Sequence, residues 1–227
     1  MSPQVPIKAP VSILLAMTAV TGMVDAVSFL ALGRVFTANM TGNVVLLGFA
    51  LAGAPGLSIS RSSVALIAFL SGGVLGGRVA FDESSWRHWA DRAFTLEAVL
   101  LGVAAVMAVG ISSGAPATQL QIDAVITSTG VAMGLRNAIV RKLAVPDMTT
   151  TVLTLTITGL AADSSLAGGD NPRWQRRVAA ILAMTLGAFA GARLGARSIA
   201  LPLAVSCAIA AMCAAARRYL FSERRKS

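Results

Sequence analysis

Residues 11–32 read V-S-I-L-L-A-M-T-A-V-T-G-M-V-D-A-V-S-F-L-A-L, an apolar run with a single charged residue, Asp25. A helix needs about 20 predominantly apolar residues to cross a bilayer, and this run is long enough. Further apolar segments follow at about 36–53, 62–80, 93–111, 119–140, 148–163, 177–196 and 199–216. None shows the period-two alternation, in segments of about 10 residues, that marks a transmembrane barrel. Composition agrees with helices in lipid. Of 227 residues, 56% are hydrophobic and 13% charged, with a mean hydropathy of +0.74, whereas a soluble domain carries about 25% charged residues. The chain therefore reads as all-α, a polytopic transmembrane helix bundle forming a single membrane domain over 1–227.

The net charge of +9 does not point to nucleic acid. A nucleic-acid domain gathers its basic residues on one soluble face. Here they sit in short loops and in the tail at Arg217, Arg218, Arg224, Arg225 and Lys226, the pattern of a membrane protein's cytoplasmic segments. The lipid bilayer is the expected partner. Trp86, Trp89 and Trp174 fall in the polar breaks, where interfacial anchors belong. The apolar stretch behind Lys8 resembles a signal peptide only at its start. It runs on past Asp25 to Leu32, so it reads as a retained helix.

Several chemistries are unsupported. His88 is the one histidine and lies in a charged loop, which leaves no metal-ligand cluster and no base for a serine nucleophile. No Walker loop and no G-x-S-x-G occur. Cys207 and Cys213 are six apart in the last apolar run, on different faces of a helix, and read as small packing residues. No enzyme activity and no cofactor are expected.

The chain repeats itself. Gly22, Asp25 and Ala26 match Gly134, Asn137 and Ala138 at an offset of 112. Asn39-Met40-Thr41 matches Asp147-Met148-Thr149 at an offset of 108. Gly72, Leu75, Gly76 and Arg78 match Gly191, Leu194, Gly195 and Arg197 at an offset of 119. Three blocks in the same order imply an internal duplication, with repeat one at about 11–111 and repeat two at about 119–216. Many transporters are built this way.

Charge counting then chooses a topology. If all eight segments cross, Lys and Arg divide 10 inside to 9 outside, against the positive-inside bias. If segments two and six are broken or re-entrant, six full crossings remain. Arg34, Arg61, Arg193 and Arg197 then lie outside, 4 residues against 15 inside. The second arrangement is preferred over the eight-crossing alternative, and it makes the two halves inverted.

Asp25 is the leading functional candidate, because a carboxylate in the bilayer costs at least ~2.5–3.5 kcal/mol and usually faces a partner or a cavity. Its structural reading is a hydrogen bond to Arg34 or to the region of Asn39. Its counterpart in the second half is the neutral Asn137. The stretch Thr37-Ala38-Asn39-Met40-Thr41-Gly42-Asn43, and its mate Pro146-Asp147-Met148-Thr149-Thr150-Thr151, suit helix N-caps. A helix start at membrane depth presents free N–H groups and a positive dipole end, which is how broken helices build substrate sites. Asn39, Thr41, Asn43, Asp147, Thr149 and Thr151 are the expected lining. Glu97 and Asp123 are secondary candidates. Arg136 and Arg141 read as markers of the cytoplasmic end of segment five, and Arg193 as deep enough in segment seven to seek an acidic partner. Gly72, Gly73, Gly76 and Gly77, with Gly187, Gly191 and Gly195, form small-xxx-small stripes for close helix packing or for a homo-oligomer.

The block Gly22-Met23-Val24-Asp25-Ala26-Val27-Ser28-Phe29-Leu30-Ala31-Leu32-Gly33, followed by Val35-Phe36-Thr37-Ala38-Asn39-Met40-Thr41-Gly42-Asn43, resembles the signature of the YoaK family of small bacterial membrane proteins. The later Ala132-Met133-Gly134-Leu135-Arg136-Asn137-Ala138 and Pro146–Thr151 stretches resemble it too, so the likeness covers nearly the whole chain. A glutamine often stands in that family where this chain has Arg136. The resemblance implies a multi-pass protein of the bacterial inner membrane and no particular substrate. The functional expectation is a small secondary permease or channel-like transporter for a small polar or anionic solute, with Asp25 as a coupling or gating acid, open to proton coupling. The alternative is a non-transporting integral membrane helper or assembly protein.

Overall fold

The computed structural model describes residues 10–79, 86–112, 117–143, 150 and 153–223. Among these residues the regular secondary structure is all helical, with no strand. Eight α-helices follow in order: α1 (Val11–Ala31), α2 (Met40–Leu51), α3 (Ile59–Val79), α4 (Trp86–Ser112), α5 (Gln119–Leu143), α6 (Thr154–Ala162), α7 (Trp174–Gly195) and α8 (Ala200–Glu223).

Length divides them into two kinds. α1, α3, α7, α8 and the Ala90–Ile111 part of α4 are long and apolar enough to cross a membrane. At 1.5 Å per residue a helix of 21 residues, such as α1, rises about 31 Å, close to the ~30 Å hydrocarbon thickness. α5 has 25 residues but carries Asp123, Arg136, Arg141 and Lys142. α2 has 12 residues and α6 has 9, so they rise only about 18 and 14 Å. The apolar runs at 36–53 and 148–163 are longer than the helices inside them.

The termini of α2 show what the short helix does. Gly33 and Arg34 both adopt positive φ, 97° and 59°, and turn the chain sharply after α1. The Arg61 side chain lies against Gly33, and that of Arg34 lies near Gly56. The turn after α1 and the residues around the start of α3 are thus neighbours at one end of the bundle. Arg61 Nη2 also donates to Gln119 Oε1 at the start of α5, 2.9 Å away. At the opposite end, Arg177 near the start of α7 donates to the Gly159 carbonyl of α6 and pairs with Asp163 at 2.7 Å. There too Arg217 of α8 meets Asp91 of α4 at 3.4 Å.

The long helices pack in crossed pairs, chiefly α1 on α7, α3 on α5 and α4 on α8. Glycines allow the first two close approaches. A side chain at Gly22 would strike the α7 backbone at Met184 and Ala188, and one at Gly187 or Gly191 would strike α1 at Ala19 or Met23. The α3–α5 contact has the same form, with Gly134 against Phe69 and Gly73, and Gly72 and Gly76 against Val131 and Leu135. These contacts give Gly72 the role of Gly187, and Gly76 that of Gly191. The sequence match of Gly72 to Gly191 is therefore one helical turn out of register. Gly73, Gly77 and Gly195 have nothing within 4 Å of an added Cβ, so only one of the two interleaved stripes on α3 packs within the chain. The core between the pairs is apolar and includes Met17, Val24, Phe94, Leu101, Ile126, Met133 and Leu203.

Candidate functional site

Asp25 sits on α1 six residues before its end, about 9 Å below the helix terminus. After the Gly33-Arg34 turn the chain runs back down beside α1 and reaches this depth at Thr37 and Ala38. Their backbone N–H groups donate to Asp25 Oδ1 at 3.1 and 2.8 Å, and the Asn39 N–H also faces the carboxylate. Of the two structural partners expected for Asp25, the Asn39 region is the one present, while Arg34 points to the bundle end. α2 then starts at Met40, with Asn39 as N-cap and its Oδ1 accepting from the Gly42 N–H at 3.3 Å. The helix start thus lies beside Asp25, well below the end of α1, with a carboxylate placed against its positive dipole end.

A cavity of about 850 Å³ opens at this point. Asp25, Asn39 and Thr41 line it, together with Phe29, Phe36, Leu153 and Thr154. Met184 and Ala188 of α7 close another wall. Phe29 and Phe36 stack with centroids 4.9 Å apart. The first residues of α2 and of α6 both border the space. The walls are mostly apolar, with a few convergent polar groups, the usual make-up of a small-molecule site.

The other expected residues have different places. Asn43 is fully buried and does not border the cavity. Its Oδ1 accepts from the Phe36 N–H at 2.9 Å and its Nδ2 donates to the Phe36 carbonyl. It closes the 36–43 loop on itself, so its part is to hold the loop and not to line the site. Asn137 Nδ2 donates to the Met133 carbonyl at 2.9 Å, and the residue is not among those lining the cavity. Asp147, Thr149 and Thr151 lie outside the described residues. Thr150 between them is buried, with φ 58°.

A second charged centre was read differently from sequence. Arg136 does not mark the end of α5. The helix continues to Leu143, which draws Arg136 into the core, where it is among the largest fully buried side chains. Its Nε and Nη2 donate to Glu97 Oε1, the former at 2.7 Å. Its Nη1 donates to the Met17 carbonyl at 2.6 Å and to Thr21 Oγ1 at 2.7 Å. One guanidinium thereby ties α5 to α4 and α1. The available signal was that Glu97 and Arg136 are opposite charges within apolar segments. Asp123 accepts from Gln119 at the start of α5, and Arg193 is exposed.

Comparison with known proteins follows the same segments. The family model described as "Protein of unknown function (DUF1275)" matches residues 13–216. The chain belongs to this family. A relative, the UPF0700 transmembrane protein YoaK of Bacillus subtilis (strain 168), is 33% identical over 154 residues. That match covers 67% of this chain and 65% of the relative, so the chain spans just under two thirds of the length of the curated relative it matches. No solved structure matches. Within the DUF1275 family this chain is a membrane protein built of helices, in contact with the lipid bilayer.

Proposed function

We propose that this DUF1275 chain is a small multi-pass secondary transporter of a bacterial inner membrane. In this reading it is built from two inverted halves of three crossings each, and α2 and α6 are re-entrant helices whose starts meet at the Asp25 cavity. The observation that carries the proposal is the start of α2, held at membrane depth by Asp25 on the wall of that cavity. Irregular backbone is tolerated at such depth only where it is buried in protein or lines a cavity, and broken helices with such termini form the substrate sites of several transporter folds. The shortness of α2 and α6, the meeting of the α2 flanks at one bundle end, and the 15-to-4 division of basic residues all support six crossings.

The cavity also narrows the solute. The dipole end of α2 already faces the Asp25 carboxylate, so it offers little to a further anion, and an ionised Asp25 repels one. A small neutral polar or cationic solute with an apolar body fits the two aromatic rings and the single carboxylate better than the anion admitted by the sequence.

Cysteine labelling tests the proposal without knowledge of the solute. In a background lacking Cys207 and Cys213, single cysteines replace Ser60, Ser165 or Thr41, and an impermeant thiol reagent is applied to right-side-out and inverted vesicles. Ser60→Cys and Ser165→Cys are expected to label from opposite faces. Labelling from the same face indicates eight crossings and removes the re-entrant helices. Thr41→Cys is expected to label from either face, as alternating access requires. Labelling from one face only, under all conditions, sinks the transporter and favours a helper protein.

A further inference from the structure

A second hollow, sharing no lining residue with the Asp25 cavity, lies between α4 and α8. It holds about 510 Å³ and is lined by Thr95, Gly102, Cys207, Ala211, Ala215 and Arg218, among other small residues. The floor is apolar because α8 presents Cys207, Ala211 and Ala215 in successive turns, and Gly102 faces Cys207 from α4. The top is polar. Arg218 is exposed and its Nη2 donates to Thr95 Oγ1 at 2.9 Å.

Two features of this groove are specific. The first is its length. From Cys207 to Arg218 the groove follows α8 for about 16 Å, half of a hydrocarbon core of about 30 Å, which is the depth of one leaflet. The second is its charge. Arg217 next door is already occupied by Asp91 and by the Phe94 ring, whose centroid is 5.9 Å away. Among the described residues Arg218 has a neutral hydroxyl as its hydrogen-bond partner and no carboxylate pairs with it. A guanidinium of this kind presents a planar fork suited to phosphate oxygens.

We propose that the α4–α8 groove is a binding site for an anionic phospholipid of the leaflet on the Arg218 side. One acyl chain lies along Ala215, Ala211 and Cys207, and the phosphate meets Arg218 and the Thr95 hydroxyl. The site is separate from the Asp25 cavity, and the inference requires only that the chain is embedded in lipid.

Native mass spectrometry of the purified full chain tests it, with phosphatidylglycerol and phosphatidylcholine added at equal concentration. The unaltered protein is expected to retain phosphatidylglycerol several-fold over phosphatidylcholine. Arg218→Gln should bring the two to within about twofold of each other, and Arg218→Lys should keep part of the preference, because a point charge remains without the fork. Ala211→Phe, at an exposed position that fills the groove, should reduce retention of both lipids. Arg78→Gln removes an exposed arginine at the same bundle end but outside the groove, and should change nothing. No preference in the unaltered protein, an unchanged preference in Arg218→Gln, or full retention in Ala211→Phe overturns the site. An equal loss in Arg78→Gln reduces the effect to general surface charge and overturns it as well.

Discussion

The bundle holds two charged centres, and they differ in what surrounds them. Arg136 and Glu97 are sealed in the core, 1% exposed each, and every guanidinium nitrogen has a partner on α4 or α1. Asp25 accepts from two backbone N–H groups of a loop and also borders an 850 Å³ cavity. A guanidinium enclosed by its counter-charge, a carbonyl and a hydroxyl has no nitrogen left to offer a ligand, and serves to fix three helices relative to one another. A charge that holds a helix start on one side and faces open space on the other can change its surroundings when that space fills. Burial inside a membrane protein therefore does not by itself mark a functional acid. What matters is whether the group still faces a space.

This contrast is open to direct attack. The largest effect is expected at the sealed pair. Arg136→Met or Glu97→Leu alone strands a buried charge, which costs roughly 3–5 kcal/mol in buried pairs generally. Either variant should accumulate poorly or melt far earlier in detergent, and the double variant should recover much of the loss. If both single variants are as stable as the parent, the pair does not hold the helices.

Next come the helix crossings. Gly22→Leu and Gly134→Leu drive a side chain into a neighbouring backbone, where overpacking costs about 1–3 kcal/mol or more. Gly77→Leu meets open space and should leave the melting temperature unchanged in detergent. Equal losses at all three positions would show that the α3 stripe is also covered, by a second copy of the chain.

Asn43→Ala is expected to act locally. It removes the partner of the Phe36 N–H and carbonyl, and one unsatisfied buried group costs about 1–3 kcal/mol. Hydrogen exchange should rise at 34–39 and stay constant in α4 and α5. Exchange rising equally across the bundle contradicts a loop-holding role.

The smallest stability change belongs to Asp25→Asn, because an amide oxygen still accepts from Thr37 and Ala38. Melting should shift by less than about 1 kcal/mol equivalent, typical for a retained neutral hydrogen bond. In the same variant, the division of Thr41→Cys labelling between the two membrane faces should change several-fold. A loss of stability as large as that of Arg136→Met would move Asp25 from the functional to the structural class.

Much of the helical plan was legible in the chain. α1 was readable almost to the residue, because its apolar run ends in a glycine that takes positive φ. The second run, 36–53, overstated its helix, because residues 36–39 form a loop whose Thr37 and Ala38 N–H groups bind Asp25, and the helix starts only at Met40. Asn39 and Asn43 could not be told apart from sequence. They lie one turn apart, but one caps the helix at the cavity and the other turns inward to the Phe36 backbone. Arg136 was misplaced for a related reason. Basic residues follow it at Arg141 and Lys142, which suggested a membrane boundary, but the helix carries on and its charge is met by Glu97, 39 residues away in sequence.

The sequence alone determined that this is a helical membrane protein, because hydropathy and segment length are local properties that the bilayer reads directly. It also marked Asp25 and the cap at Asn39, since a polar group in an apolar run is conspicuous wherever it points. Only the tertiary structure decided which of the buried charges is sealed and which faces a cavity. That outcome depends on partners from other helices, and their distance in space is not written in their distance along the chain.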